Sequence, residues 1–127
     1  MTPETGYLLA KARRLLGEAE ITLANKLNEA AGRAAYLAGV AAAQAFISER
    51  TGRTVRSHGG VQAELQRLTK DGPLLDLELR AFLGRTYRLK EIADYESGPG
   101  SEVSPERAAE AIATAKRFVA KMAELIG

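Results

Sequence analysis

The sequence predicts an all-α fold, an up-and-down bundle of five helices, and three observations predict it. Apolar residues recur at steps of three and four and never settle into the period of two that a half-buried strand needs. Capping signatures and Gly or Pro breakers cut the chain into helix-length pieces. Alanine is concentrated in one stretch, as expected of a helix around which others pack closely.

Taken in order, Thr2-Pro3-Glu4 reads as an N-cap, an N1 proline and an acidic first turn. Leu9, Ala12, Leu16, Ala19 and Leu23 then form the apolar stripe of helix one. Asn25-Lys26-Leu27-Asn28 breaks it. Helix two follows from about Glu29 to Thr51, roughly 34 Å at about 1.5 Å per residue. Small residues from Ala30 to Ala45, with Gly32 and Gly39, cover most of its faces, which makes it the expected central helix. Its large exceptions are Tyr36 and Phe46, and core packing is the expected role of Tyr36.

Helix three is expected from His58 to about Lys70, closed by Asp71-Gly72-Pro73. Helix four begins near Asp76 and turns Leu79, Phe82, Leu83, Leu89 and Ile92 inward as far as Asp94-Tyr95. A mobile loop, Glu96 to Ser101, is expected next. Ser104-Pro105-Glu106 then repeats the capping signature ahead of the stripe Ala108, Ile112, Ala115, Val119, Met122 and Ile126. No repeat or second domain interrupts residues 1–127, which are taken as a single domain.

Composition narrows the function. With no cysteine, neither a disulfide framework nor a thiolate-bound metal is possible. With one histidine and no H-E-x-x-H spacing, no metal or other cofactor is expected. The start of the chain reads as neither a signal nor a transit peptide, and no apolar run reaches the roughly 20 residues that span a bilayer. A cytoplasmic protein without membrane contact is expected. The net charge of +2 is too small to attract nucleic acid by bulk electrostatics. Local clustering must supply any RNA contact.

That clustering occurs between helices two and three. Arg50, Arg53 and Arg56 fall within seven residues, and His58 stands five residues after Arg53, an R-x4-H spacing. Gly52 suits the position just past a helix C-terminus. Ser57 suits an N-cap, with Gly59 and Gly60 in the first turn beyond it, where small residues leave room for a phosphate. Arginine grips phosphate through parallel hydrogen bonds, and histidine exchanges a proton near neutrality, so the pair suits phosphodiester chemistry. The helix N-terminus and nearby arginines are expected to favour the neutral ring. A second basic group, Arg80, Arg85, Arg88 and Lys90, reads as the wet face of helix four.

In combination, several motifs resemble the HEPN domains of prokaryotes, closest to compact members often paired with a minimal nucleotidyltransferase. They are Ala12-Arg13-Arg14-Leu15-Leu16, Gly32-Arg33-Ala34-Ala35-Tyr36-Leu37-Ala38, Ala43-Gln44-Ala45-Phe46-Ile47 and Glu49-Arg50-Thr51-Gly52. Arg56-Ser57-His58-Gly59-Gly60-Val61, Ile92-Ala93-Asp94-Tyr95 and Ala115-Lys116-Arg117-Phe118-Val119 complete the set. The chain departs from many relatives at Val40-Ala41, where they carry Phe and His. It departs again at Gly60, where some carry a tyrosine that is modified.

The resemblance implies a homodimer whose two R-x4-H elements meet in a cleft, and a metal-independent endoribonuclease of toxin type held in check by a nucleotidyltransferase partner. On that basis Arg53 and His58 are the expected catalytic pair, with Arg50, Thr54, Arg56, Ser57, Gly59 and Gly60 as candidate RNA or phosphate contacts. The other reading is a catalytically silent HEPN module that binds a nucleotide or a partner.

Overall fold

The computed structural model describes residues 1–72 and 74–127, and the expected proline stop at Pro73 lies outside the described residues. Among the described residues the chain forms five helices and no strand: α1 (Pro3–Ala24), α2 (Asn28–Thr51), α3 (His58–Thr69), α4 (Leu77–Tyr95) and α5 (Pro105–Ile126). Side-chain caps set four of the five helix starts: those anticipated at Thr2, Ser57 and Ser104, and a further one at Asp76, while α2 starts without one. The side chains of Thr2, Ser57, Asp76 and Ser104 accept from the backbone N–H three residues on. Each satisfies a donor that the first turn leaves unpaired. Gly52 closes α2 at φ 71°, a left-handed conformation that a β-carbon would strain.

Cross-links fix the helix directions. Thr5 Oγ1 donates to Glu49 Oε1 at 3.1 Å, joining the start of α1 to the end of α2. Arg33 Nε reaches Asp94 Oδ1 at 2.8 Å, joining the start of α2 to the end of α4. Arg117 bonds Asp76 and Glu78, each at 2.6 Å, joining α5 to the start of α4. Arg50 at the end of α2 donates to the Leu125 carbonyl near the end of α5, so those two helices run parallel. The α1/α2, α2/α4 and α4/α5 pairs are therefore antiparallel, as an up-and-down bundle requires.

Helix α2 contacts every other helix. Ala31, Ala35, Ala38, Ala42, Ala43 and Ala45 are fully buried along it. Their short side chains allow neighbouring backbones to approach. Opposite α4 the same role falls to glycine, since a β-carbon at Gly32 would lie 3.1 Å from Leu89 and one at Gly39 would collide with the Phe82 ring. In α5, Ala108, Ile112, Ala115, Val119 and Met122 are buried as expected, joined by Phe118, whose ring meets Phe82 at 5.1 Å between centroids; Ile126, expected in the same stripe, is only partly buried at the helix end.

The stripe expected on α1 is rotated. Its buried seam runs Thr5, Leu8, Leu9, Ala12, Leu15 and Ala19, while Leu16 and Leu23 are only partly covered. Thr5 explains the turn: its hydroxyl has a partner in Glu49, so a polar residue occupies the inward position without an unmet hydrogen bond.

Candidate functional site

The sequence between α2 and α3 is short and pinned from both sides. Gln44 donates its side-chain amide to the Val55 carbonyl at 2.8 Å, and Thr51 Oγ1 accepts from the Arg53 N–H at 3.1 Å. Val55 is thereby turned toward the core, and Arg53, Thr54 and Arg56 face outward. Ser57 then caps α3 by accepting from Gly60 N at 3.0 Å, which makes His58 the first helical residue.

His58 is half-buried in a cage of three side chains. Tyr36 on α2 brings its hydroxyl to 2.7 Å from His58 Nδ1. Gln62, one turn further along α3, brings its amide to 3.2 Å from Nε2. Tyr87 on α4 stacks on the imidazole at 4.0 Å between centroids with 17° between the planes. The two tyrosines also touch, at 5.6 Å. Both ring nitrogens and one ring face are engaged.

These surroundings decide the protonation states. Burial lowers the pKa of His58 below its ordinary value by penalising the cation, and the Glu91 carboxylate opposes that shift. The direction agrees with expectation. The main cause is withdrawal from water rather than the arginines and helix terminus anticipated from sequence. Tyr36 is pushed up to about 12, by burial and then by Tyr87, so its phenol keeps its proton throughout the neutral range.

The arginines of the motif go elsewhere. Arg53 Nη2 bonds Glu64 Oε1 at 3.0 Å, and its side chain is 69% exposed. Glu64 lies six residues past His58, so it projects from α3 about 120° around the helix from the histidine. Arg67 binds the same carboxylate at 2.8 Å. Arg50 turns away from the motif, donating to the Leu125 carbonyl at 2.7 Å and lying over the Phe46 ring at 5.1 Å. Arg56 is exposed beside Ser57.

The two first-turn glycines differ. A β-carbon at Gly59 would meet nothing within 4 Å, leaving open space over the first turn of α3. At Gly60 it would lie 2.7 Å from Ser57 Oγ and from Val55 Cγ1, so that glycine serves the cap rather than making room for a ligand.

Sequence reasoning placed Tyr36 in the core, and it is indeed only 4% exposed. Its hydroxyl finds its partner in His58, so the residue belongs to the site as well. Gln62 and Tyr87 went unrecognised. The i,i+4 spacing from His58 offered a signal for Gln62; nothing local marks Tyr87, which arrives from another helix. The second basic group behaves as a wet face: Arg88 pairs with Glu96 and Lys90 with Asp94, with Arg80 and Arg85 exposed.

Among the described residues no group of three His, Cys, Asp or Glu side chains is placed to hold a metal, and no helix is long and apolar enough to cross a membrane. No curated protein matches the sequence. The family model of the HEPN domain matches residues 5–125, nearly the whole chain.

Proposed function

The chain belongs to the HEPN family, and from that premise we propose that it is a metal-independent endoribonuclease with His58 and Arg53 as its catalytic pair. The observation that carries the reading is the cage around His58: a half-buried imidazole, kept neutral by its surroundings, at the edge of an exposed basic connection.

Cleavage by this route starts with attack of an RNA 2′-hydroxyl on the adjacent phosphorus. The 2′-oxygen to phosphorus bond forms, the bond to the 5′-oxygen breaks, and the products are a 2′,3′-cyclic phosphate and a 5′-hydroxyl. One group must take the 2′ proton, another must protonate the departing oxygen, and positive charge must face the phosphorane. A single histidine does not take and give a proton in the same step. Two copies of His58 across a twofold axis would divide those roles, and Arg53, swung from Glu64 onto the phosphate, would supply the charge. Arg56, Thr54, Ser57 and the open space over Gly59 complete the proposed phosphate contacts, with Arg50 and Gly60 at the margin.

A homodimer follows from this chemistry, with α2 and α3 at its interface. Ala30, Arg33, Leu37, Val40 and Gln44 form the side of α2 that the other helices leave partly open, and three of them are apolar. A nucleotidyltransferase antitoxin in the cytoplasm is the partner that the same reading carries. Incubation with single-stranded RNA in a chelator tests it. Products ending in 2′,3′-cyclic phosphate are expected, and dependence on an added divalent ion would overturn the mechanism. Sedimentation showing only monomer at micromolar concentration would remove the two-histidine arrangement.

One observation favours a second reading, a silent module that binds a nucleotide or partner. In the isolated chain both nitrogens of His58 are occupied, and Arg53 is tied to a different side of α3. Binding of RNA without cleavage across varied sequences would support it.

A further inference from the structure

We propose that Tyr36 is a positioning residue that sets which nitrogen of His58 carries the proton, and that Gln62 is a removable cap over the nitrogen that meets the substrate. The catalytic consequence rests on the ribonuclease reading above; the tautomer itself does not.

A buried phenol carries one proton and needs an acceptor for it. Among the described residues the only hydrogen-bond partner of the Tyr36 hydroxyl is His58 Nδ1, at 2.7 Å. If Nδ1 carried a proton and donated it, the phenol's own hydrogen would have no acceptor inside a residue that is 4% exposed. Leaving a buried donor unmet costs about 1–3 kcal/mol. If Tyr36 donates instead, both groups are satisfied and the imidazole proton resides on Nε2. The atom 3.2 Å from Nε2 is the Gln62 amide nitrogen, and the carboxamide turned over by 180° puts its oxygen there to accept from Nε2–H, since the two ends of a carboxamide are set by their partners.

Position supports the division of labour. Tyr36 comes from the central helix, held on both flanks by buried alanines at 35 and 38, and it has little freedom to leave. Gln62 is partly exposed on α3, and it faces Gly84 of α4, where a β-carbon would stand 3.4 Å from the Gln62 amide nitrogen. Nδ1 is therefore the fixed nitrogen and Nε2 the one uncovered when Gln62 swings aside. Other titratable groups facing the ring are Tyr87 and Glu91, both from α4.

In this resting tautomer Nε2 meets a phosphate as an N–H donor. Taking a proton there requires the opposite tautomer, with Nδ1–H donating to the phenol oxygen. Giving a proton to the departing oxygen requires the protonated ring, which also donates at Nδ1. A hydroxyl can accept as well as donate, so Tyr36 permits each state, and during one cleavage one protomer would hold the neutral Nδ1–H ring and the other the imidazolium.

The chain's only histidine makes the test direct, because nitrogen-15 histidine labelling reports on His58 alone. In the wild type the neutral ring should show a protonated Nε2 and an acceptor Nδ1. Tyr36→Phe should shift the balance toward that of free imidazole and raise the pKa of His58, since a donor that favours the neutral ring is lost. Gln62→Ala should leave the tautomer unchanged while Nε2 becomes responsive to added inorganic phosphate.

If the protein cleaves RNA, Tyr36→Phe should lower kcat on the order of tenfold with little change in KM, the rate equivalent of about one net hydrogen bond. A wild-type ring protonated at Nδ1 would overturn the proposal, whether or not the phenylalanine variant folds. So would a folded Tyr36→Phe protein with unaltered tautomer and pKa. The expected tautomer with no cleavage of any RNA would leave this proposal standing and defeat the ribonuclease reading.

Discussion

The two ends of the R-x4-H segment differ sharply. His58 is bonded at both ring nitrogens, stacked on Tyr87 and touched by α2, α3 and α4. Arg53 is mostly exposed and makes one ion pair, with a carboxylate it shares with Arg67. The histidine end is built by the tertiary fold, so its geometry exists before any ligand arrives. The arginine end is held by a solvent-screened surface ion pair, which contributes little and yields readily to a competing anion. A motif that is continuous in sequence is thus half fixed and half adjustable in space.

The largest effect that would break this contrast concerns the adjustable end. Arg53→Ala should reduce RNA cleavage on the order of 10²-fold, as expected for losing a charged donor aimed at the transition state. Thermal unfolding should hardly change, because an exposed pair contributes little. Arg53→Lys should recover only part of the activity, since an ammonium keeps the charge and loses the paired hydrogen bonds. A melting temperature that fell along with activity would show that Arg53 is structural.

The fixed end should respond in the opposite way. Gly39→Ala puts a methyl group against the Phe82 ring and pushes α4, with Tyr87, away from α2. A stability loss of about 1–3 kcal/mol is expected, the usual cost of overfilling a packed core. Chemical denaturation measures it, and an unchanged midpoint would show that the α2/α4 contact is slack. Tyr87→Leu is milder, about 0.5–1.5 kcal/mol for a lost ring pair, with greater mobility of the His58 ring in relaxation measurements.

Much of the fold was legible in the sequence because helix ends are local. Thr2, Ser57, Asp76 and Ser104 cap within three residues, and Gly52 needs only its own φ. The central place of α2 was legible too, since alanine and glycine admit neighbours whichever they are. The rotation of α1 was less so: the spacing of leucines ignores a threonine that enters the core by bonding Glu49 across the bundle. The same limit applies to the site. The spacing of Arg53 and His58 was visible, but the direction of Arg53 depends on Glu64, and the stacking partner Tyr87 stands 29 residues beyond the histidine on another helix.

A smaller effect sharpens the account of the arginine end. Glu64→Gln should tighten binding of single-stranded RNA a few-fold by releasing Arg53 and Arg67 from a competing carboxylate, with little change in stability because solvent screens the pair. Unchanged affinity in a filter-binding titration would argue that Arg53 does not reach the phosphate. The smallest concerns pH. Because the folded pKa of His58 lies below the ordinary 6.5, the unfolded chain takes up the proton first. Its contribution to stability is complete above that value and is lost as pH falls through it toward the lower folded pKa. Melting between about pH 8 and pH 5.5 should therefore show a steeper loss in the wild type than in His58→Gln, and equal slopes would contradict the burial of the ring.

The central claim is that the fold has prepared His58 for chemistry on RNA. The most direct measurement compares wild type and His58→Ala, purified identically and confirmed to be folded, on single-stranded RNA in chelator with the product ends identified. The wild type should yield 2′,3′-cyclic phosphate ends and the variant none. Equal cleavage by the two proteins, or none by the wild type on any RNA, would contradict it.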